Sequence, residues 1–468
     1  MTRARDNNRA DLWYAVALLV VALIPRLFVA IAWAREPVWD GHYYHFGAER
    51  IAQGLGYSED VMVHGQLVWK PWCHYPVGYS ALLGAVYRVF GAKLVVAPVV
   101  NAITGAVTAV VVYRLARHYL SPRRAKVAGA LVALHPGLIV YSAAVMTEGL
   151  AALLLVAAPL ALVAWRGKWR GVIGAGVLLG LATLVRPSSL LAAPLMALMM
   201  DAGAARKLAA GALATAVAVV MVTPWSLRNC AQMDGCAFVS TNGGWNLAIG
   251  ALTQSGRFQT LRAADGCPIV TGQVQQDRCW AKVGRDAILA APGHWLAMMP
   301  KKLGHTFDHE SFAIEYLREA DPDSWPEDRR VAGRQLLSLF HRLLMVAAAL
   351  GVVARVRPRK TDLRAWLPQM AALVVVLALG VLGAADEQHP FFWLAVAIPL
   401  LAVVPLPARP RQGAVGRYLV GLIFVTVLTH AVFFGDDRYH LVVTPVLCLL
   451  AAAALRRPAP RPDMARRA

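Results

Sequence analysis

The chain has 468 residues, of which 58% are hydrophobic and only 16% are charged, with a mean hydropathy of +0.51. A soluble protein carries about 25% charged residues, so this composition excludes a soluble enzyme and indicates a polytopic membrane protein. The formal net charge of +20 does not imply a nucleic-acid partner, because membrane proteins collect Lys and Arg in their cytoplasmic loops.

The first apolar run, over about 12–34, is long enough to cross a hydrocarbon core of roughly 30 Å. It is too long for a signal-peptide core, so we predict a retained first span with a cytosolic N-terminus. Segment 77–91 is apolar but short and contains Arg88. We interpret it as a helix lying flat in the interface, because a crossing segment would place the basic cluster 114–126 outside.

The later apolar runs alternate across the membrane so that each dense Lys/Arg cluster lies in the cytosol. They cover 94–117, 127–142, 147–165, 171–185, 188–200, 208–223, 336–354, 366–384, 391–407, 418–434 and 441–455. With the first run they predict an all-α, polytopic fold of about twelve transmembrane helices, with both termini in the cytosol. We treat 1–468 as one integral-membrane domain with two outer loops, 35–93, which holds interfacial helices, and 226–335.

Four of the six cysteines fall in the second outer loop, on the oxidising side of the membrane. Three pairings are open, and Cys230–Cys236 with Cys267–Cys279 is the simplest of them. Free thiols are the alternative.

Asp40 is the first candidate for chemistry, since it stands where the first span gives way to water. The residues that follow carry apolar and aromatic groups at helical spacing, so we predict an interfacial helix with Tyr43 and Arg50 on one face. A carboxylate at the start of a helix stays ionised and can accept a proton from an attacking hydroxyl. The alternative is an ordinary cap or a solvated loop aspartate.

Further polar groups border the same outer face. Glu148 begins an apolar run, where it is either a functional carboxylate or half of an N-cap pair with Thr147. Arg186, Arg228 and Arg438 stand at outer span ends without evident carboxylate partners, which suggests an anionic ligand such as phosphate. Lys70 either contacts that phosphate or extends its amine to the interface.

The series of motifs resembles the lipid-dependent membrane glycosyltransferases of the GT-C fold, in the bacterial branch akin to protein O-mannosyltransferases and the lipid A aminoarabinose transferase. The matching stretches are 40–57, 75–79 leading to 90–91, 141–148, 184–187, 224–229, and 438–439 with Pro445. Glu148 stands where many relatives have Asp, and 70–72 is Lys-Pro-Trp where relatives have Lys-Pro-Pro.

The resemblance implies an inverting transfer of a sugar from a polyprenyl phosphate to a lipid, glycan or protein acceptor on the periplasmic face of the bacterial inner membrane. Asp40 would be the base. The predicted substrate contacts are Tyr43, Tyr44, Lys70, His74, Tyr79, Glu148, Arg186, Arg228, Asn229, Arg438 and Tyr439. The rival function from another class is a polytopic transporter or lipid flippase.

No cofactor is firmly predicted. Four histidines in the first loop, His42, His45, His64 and His74, offer nitrogen ligands to a divalent cation, although their spacing fits no standard metal site.

Overall fold

The computed structural model describes residues 2–165, 167–200, 202–268, 272–353, 391–403 and 413–455, with six helical positions between 370 and 381. Four segments of the sequence fall wholly or mostly outside these residues. They are the predicted span 366–384, the polar loop that follows it at 386–390, and the basic segments 355–360 and 456–467. Among the described residues, the helices dominate, as the sequence predicts.

The N-terminal part runs α1 (Thr2–Ala32), α2 (Asp40–Ala52), β1 (Ser58–Val63), β2 (Gln66–Pro71), α3 (Val77–Phe90), α4 (Val96–Arg117), α5 (Pro122–Ala133), α6 (Pro136–Val140), α7 (Glu148–Ala164), α8 (Trp169–Val185) and α9 (Ala204–Gln232). Short 3₁₀ helices lie at Tyr141–Ala143, Pro187–Ala192 and Pro194–Met199.

The C-terminal part runs α10 (Gly243–Leu252), α11 (Gln273–Ala290), α12 (Pro292–Ala297), α13 (Met299–Phe307), α14 (Phe312–Ala320), α15 (Glu327–Val353), α16 (Phe392–Val403), α17 (Ala414–Val432) and α18 (Thr444–Ala454). Two further 3₁₀ helices cover Ala263–Asp265 and Asp437–Val442.

Five of the described helices are long and apolar enough to cross a membrane. They include Arg9–Ala32, Val96–Arg117, Ala204–Gln232, Glu327–Val352 and Ala414–Val432. The pair 122–133 and 136–143, bent by 47°, could form a sixth span, and several shorter apolar helices accompany them. The polytopic membrane fold is therefore confirmed, while the count of about twelve spans stays a prediction.

Small residues allow the helices to pack closely, as expected in a membrane protein. A Cβ atom added at Gly180 of α8 would lie 2.9 Å from the Ala218 carbonyl oxygen of α9. Gly176, one turn earlier, faces the Ala214 carbonyl in the same way. This contact explains why a glycine pair sits in the middle of an apolar helix.

A buried arginine stabilises the bend between α5 and α6. Arg26 of α1 is fully buried and donates hydrogen bonds to the Val132 and Ala133 carbonyl oxygens, at 2.7 and 2.6 Å. These carbonyls end α5, where the helix dipole favours a positive charge. The bend then leads the chain through 136–143 to Glu148.

One local prediction differs from the structure, and two further features were not predicted. Segment 188–200 forms two 3₁₀ helices, each beginning at a proline, and not a regular α-helix. The first outer loop contains the antiparallel hairpin β1–β2, with Ser58 opposite Pro71, which the sequence analysis did not predict. The second outer loop is largely helical, since α9 extends to Gln232 and α10–α14 follow.

Both simplest disulfide pairings are confirmed. Cys230 is bonded to Cys236 and Cys267 to Cys279, while Cys73 and Cys448 are free and buried. The first bond closes the turn after α9, and the second ties the 3₁₀ helix Ala263–Asp265 to α11.

Candidate active site

Asp40 is the first residue of α2, as predicted. The chain enters this helix through Trp39, whose φ is 51° and whose ring packs 5.5 Å from that of Phe312. The residue after Asp40 must be glycine, because a Cβ at Gly41 would lie 2.6 Å from the Tyr316 hydroxyl and 2.9 Å from the Val145 carbonyl oxygen. Contacts from distant segments therefore fix the position of the Asp40 carboxylate.

Each Asp40 carboxylate oxygen has one partner. The Tyr75 hydroxyl donates to Oδ1 at 2.7 Å, and Arg438 Nη1 donates to Oδ2 at 2.7 Å. The expectation that Arg438 would have no carboxylate partner is therefore wrong. The sequence could not reveal this pair, since its members stand at opposite ends of the chain.

The surroundings hold Asp40 in its ionised form. Burial raises the pKa of Asp40, but the positive charge of Arg438 and the hydrogen bond from Tyr75 outweigh it, so the pKa lies below its ordinary value. By contrast, burial raises the pKa of nearby Asp436 to about 6 despite the charge of Arg438.

A second ion pair involves Glu148, the first residue of α7. Arg186 Nη1 donates to Glu148 Oε1 at 2.5 Å, and the Tyr141 hydroxyl donates to Oε2 at 2.5 Å. Arg186 also donates to the Thr147 hydroxyl, whose side chain makes no capping bond to the helix. The expectation of an unpaired Arg186 is wrong as well, and Thr147 and Glu148 do not form an N-cap pair.

Tyr439 joins the two ion pairs. Its ring centroid lies 5.2 Å from the Arg186 guanidinium carbon and 5.1 Å from that of Arg438, and His430 stacks on it at 4.2 Å. We call Asp40, Glu148, Arg186 and Arg438 the ion-pair cluster. Arg438 keeps spare donor capacity, because its Nε makes no hydrogen bond within the described residues.

Aromatic side chains of the first loop border the cluster. Tyr43 is exposed and stacks against Tyr75, with ring centroids 5.3 Å apart. Tyr44 is buried between Tyr75 and Tyr79. The Tyr79 hydroxyl donates to Asn101 Oδ1 at 2.8 Å, which fixes the ring against which Tyr44 packs.

His74 lies beside Asp40 and connects it to the second outer loop. Its ring contacts Tyr75 and Trp245 edge-on, at 5.0 and 5.9 Å between centroids. Burial lowers the pKa of His74, and the negative charge of Asp40 opposes that shift only in part. His74 is therefore neutral at physiological pH.

Three predicted substrate residues make their contacts away from both the ion-pair cluster and its neighbouring tyrosines. Lys70 is exposed on β2, opposite Glu59. Arg228 donates to the Tyr57 and Trp72 carbonyl oxygens at 2.6 and 3.1 Å, which anchors the first loop to α9. Asn229 is buried and donates to the Ala237 carbonyl oxygen at 3.2 Å. The expectation that Arg228 binds an anion is therefore not met in the structure, where its partners are backbone carbonyl oxygens.

A narrow apolar cleft opens beside Arg186 and Tyr439. Its other lining residues are Leu155, Ser188, Ser189, Ala192, Leu422, Val425, Thr426, Thr429, His430, Val442 and Val443. Leu422 lies about two turns of α17 away from His430, roughly 12 Å at 1.5 Å per residue. The cleft is therefore lined by the Arg186 guanidinium, by hydroxyl groups and by aliphatic side chains of α17.

The first-loop histidines do not converge on a metal position among the described residues. His42 stacks on Phe46, His45 Nδ1 bonds the Tyr87 hydroxyl at 2.6 Å, and His74 faces Trp245. Tyr75 and Tyr141 are the functional neighbours that sequence reasoning missed. Both stood inside quoted motifs, and a tyrosine beside a candidate carboxylate was the signal available.

Comparison with known proteins supports the predicted resemblance. Residues 74–227 match the family described as dolichyl-phosphate-mannose-protein mannosyltransferase. The resemblance is confirmed. The matched region contains Glu148 and Arg186, whereas Asp40 and Arg438 lie outside it. A comparison with curated proteins finds no match.

Two solved membrane proteins resemble the chain in structure. The oligosaccharyltransferase AglB of Archaeoglobus fulgidus, tethered to an acceptor peptide, has a TM-score of 0.46 and 15% identity, covering 94% of this chain and 49% of its own. ArnT of Cupriavidus metallidurans, bound to undecaprenyl phosphate, has a TM-score of 0.36 and 17% identity, covering 92% and 77%. The chain spans about half the length of the archaeal protein.

Proposed function

We propose that the protein is an inverting glycosyltransferase that moves a sugar from a polyprenyl phosphate to an acceptor hydroxyl or amine at the periplasmic face. The observation that carries the proposal is the ion-pair cluster, in which an ionised Asp40 is paired with Arg438 and Tyr439 links that pair to Arg186 beside a cleft. The family match over 74–227 points to the same donor class, since its description names a dolichyl-phosphate mannose.

Asp40 acts as the base in this reaction. The acceptor oxygen or nitrogen attacks the anomeric carbon as Asp40 takes its proton, and the bond from that carbon to the phosphate oxygen breaks. The electron pair leaves with the polyprenyl phosphate. Direct displacement at one face of the sugar inverts the anomeric configuration, by analogy with one half of an inverting glycosidase site.

The arginines stabilise the charge that grows on the leaving phosphate. Phosphate is a weak base, so its departure needs cations and no general acid. Arg186 lines the cleft together with aliphatic side chains of α17, and the donor phosphate is placed at this guanidinium. Arg438 Nε makes no hydrogen bond within the described residues and lies 3.8 Å from Asp436 Oδ1, so the same phosphate can accept from it in place of Asp436.

Donor binding also changes Asp40. The charge of Arg438 lowers the pKa of Asp40. A lower pKa keeps the Asp40 carboxylate ionised but also makes that carboxylate a weaker base. A phosphate that competes for Arg438 draws the guanidinium away and raises the pKa of Asp40. The base thus becomes stronger only when a donor is present, which limits unproductive proton uptake.

The donor assay separates this function from transport or lipid flipping. Purified protein is mixed in detergent with a radiolabelled polyprenyl-phosphate sugar and a membrane extract that supplies acceptors. The proposal predicts labelled product and free polyprenyl phosphate, with an inverted anomeric centre by NMR. Label that remains on the donor with every sugar tested, together with donor translocation in sealed vesicles, would favour a flippase.

A further inference from the structure

A compact group of metal-ligand side chains lies away from the ion-pair cluster. Glu310 follows α13, His341 lies on α15, and His440 lies in the 3₁₀ helix Asp437–Val442. Their relative exposures are 2%, 0% and 0%, and one ligand atom from each lies within 4.8 Å of the others. Three separate segments therefore bring ligand-type atoms to one buried point.

The hydrogen bonds on the far side of each ring fix the two tautomers. His341 Nε2 lies 2.8 Å from the Phe307 carbonyl oxygen, and His440 Nδ1 lies 2.8 Å from the Thr306 carbonyl oxygen. A carbonyl only accepts, so these two nitrogens carry the protons. The nitrogens that face Glu310 therefore present lone pairs, as in histidines whose outer N–H is held by a backbone carbonyl while the inner nitrogen binds metal.

Two imidazole lone pairs and one carboxylate thus converge, and His440 Nε2 and Glu310 Oε2, at 3.2 Å, are at hydrogen-bond distance from each other. Within the described residues, His341 Nδ1 and Glu310 Oε1 are buried without a hydrogen-bond partner. Burying a carboxylate and two lone pairs together is costly unless a cation joins them. Only a proton or a metal ion can fill that role in so small a space.

The distances favour a metal ion. His440 Nε2 and His341 Nδ1 lie 3.2 and 3.8 Å from Glu310 Oε2. A tetrahedral zinc ion with bonds of roughly 2.0–2.1 Å holds its ligand atoms about 3.3 Å apart. The separation of 3.2 Å is short enough for a hydrogen bond, but that of 3.8 Å is not, so a proton shared with His440 leaves His341 Nδ1 unpartnered. Both separations are within about 0.5 Å of the tetrahedral spacing.

We propose that Glu310, His341 and His440 bind one Zn²⁺ ion. Two imidazoles and one carboxylate are a known zinc donor set, and they leave a fourth position for water. The site differs from the first-loop histidines and is separate from the reaction proposed above, so its test does not depend on transferase activity.

The ion would brace the segment that carries Arg438. His440 is two residues beyond Arg438, and Asp437, directly before Arg438, accepts hydrogen bonds from the Ser311 and Phe312 backbone amides. Ser311 directly follows Glu310. Zinc and Asp437 would therefore tie the same two segments together and hold Arg438 against Asp40, which makes the ligands positioning residues.

Metal analysis of the full-length protein tests the site. The protein is purified without chelator, incubated with ZnCl₂, freed of excess ion and analysed by mass spectrometry for zinc. We expect one zinc ion per chain in the wild type, and at least tenfold less in His341→Ala and His440→Ala. His45→Gln, a buried histidine in α2, is the matched control and should keep its zinc.

X-ray absorption of the zinc-loaded wild type needs no variant and so avoids any folding defect. It should report two imidazoles and oxygen ligands at roughly 2.0–2.1 Å. A wild type that binds no zinc would show that a shared proton fills the site. Zinc that survives in both cluster variants, or is lost from His45→Gln, would place the ion elsewhere. Each of these results overturns the proposal.

Discussion

Arg438 donates a hydrogen bond of 2.7 Å to Asp40, although 398 positions separate the two residues in the sequence. The bond joins the first residue of α2 to the 3₁₀ helix Asp437–Val442. It supplies both a charge that keeps Asp40 ionised and a guanidinium that a phosphate could take over. The predictions below follow from this pair and from the groups around it.

Replacing Arg438 should change the pH dependence of transfer. Arg438 lowers the pKa of Asp40. In the wild type the Asp40 carboxylate therefore stays mostly ionised even when the pH equals the ordinary pKa of an aspartate. In Arg438→Gln the pKa of Asp40 in the free enzyme rises, and the acid limb of the kcat/KM profile should move to higher pH. The rate at neutral pH should fall at least tenfold, because a phosphate ligand is also lost. An acid limb that stays in place or moves down would contradict the pairing.

Tyr75→Phe should produce a smaller version of the same effect. The hydroxyl donates to Asp40 Oδ1 and contributes less to the lowered pKa than the charge of Arg438. We expect kcat to fall roughly tenfold, about 1.4 kcal/mol, with a smaller shift of the acid limb than in Arg438→Gln. Tyr14→Phe is the control and should match the wild type, because the Tyr14 hydroxyl of α1 donates to the Lys126 carbonyl oxygen of α5, away from Asp40.

The Glu148–Arg186 pair should be strongly coupled in stability. Glu148 is 1% exposed, so Arg186→Met leaves a buried carboxylate without its cation and should cost about 3–5 kcal/mol of unfolding free energy. Adding Glu148→Gln should recover part of that loss. The measurement is thermal unfolding in detergent for both single variants and the double variant. Additive losses would mean that the two charges do not depend on each other.

The disulfides test the orientation of the second outer loop. If this loop lies on the periplasmic side, Cys230, Cys236, Cys267 and Cys279 should resist alkylation in denatured protein isolated without reductant. Cys73 and Cys448 should be alkylated in the same sample. Replacing both Cys267 and Cys279 by Ser should cost about 2–4 kcal/mol. Alkylation of all six in cell-derived protein would place the loop in the cytosol.

Local patterns in the sequence predicted local features well. Asp40 begins α2 because aromatic and apolar groups recur at helical spacing after it, and the two disulfides join cysteines close in sequence. The hairpin β1–β2 also had a local signal, since His64-Gly65 form a turn with positive φ at both residues. The segments on either side have helical spacing, so the hairpin between them was not predicted.

The partners of the arginines could not be predicted in this way. Charge counting identified Arg186, Arg228 and Arg438 as unusual on the outer face, but it says nothing about which distant group each one meets. Arg186 meets Glu148, Arg438 meets Asp40, and Arg228 meets backbone carbonyls. Only the tertiary structure shows whether an arginine pairs with a carboxylate or donates to the backbone of a loop.

The transfer rate of Asp40→Asn tests the central claim most directly. The substitution keeps the shape of the side chain and removes its ability to accept a proton, so transfer from a radiolabelled polyprenyl-phosphate sugar in membranes should fall by roughly 10²–10⁴. Asp60→Asn, a matched change on β1 of the same loop, should transfer at the wild-type rate. Transfer by Asp40→Asn within threefold of wild type would contradict the assignment of Asp40 as the base.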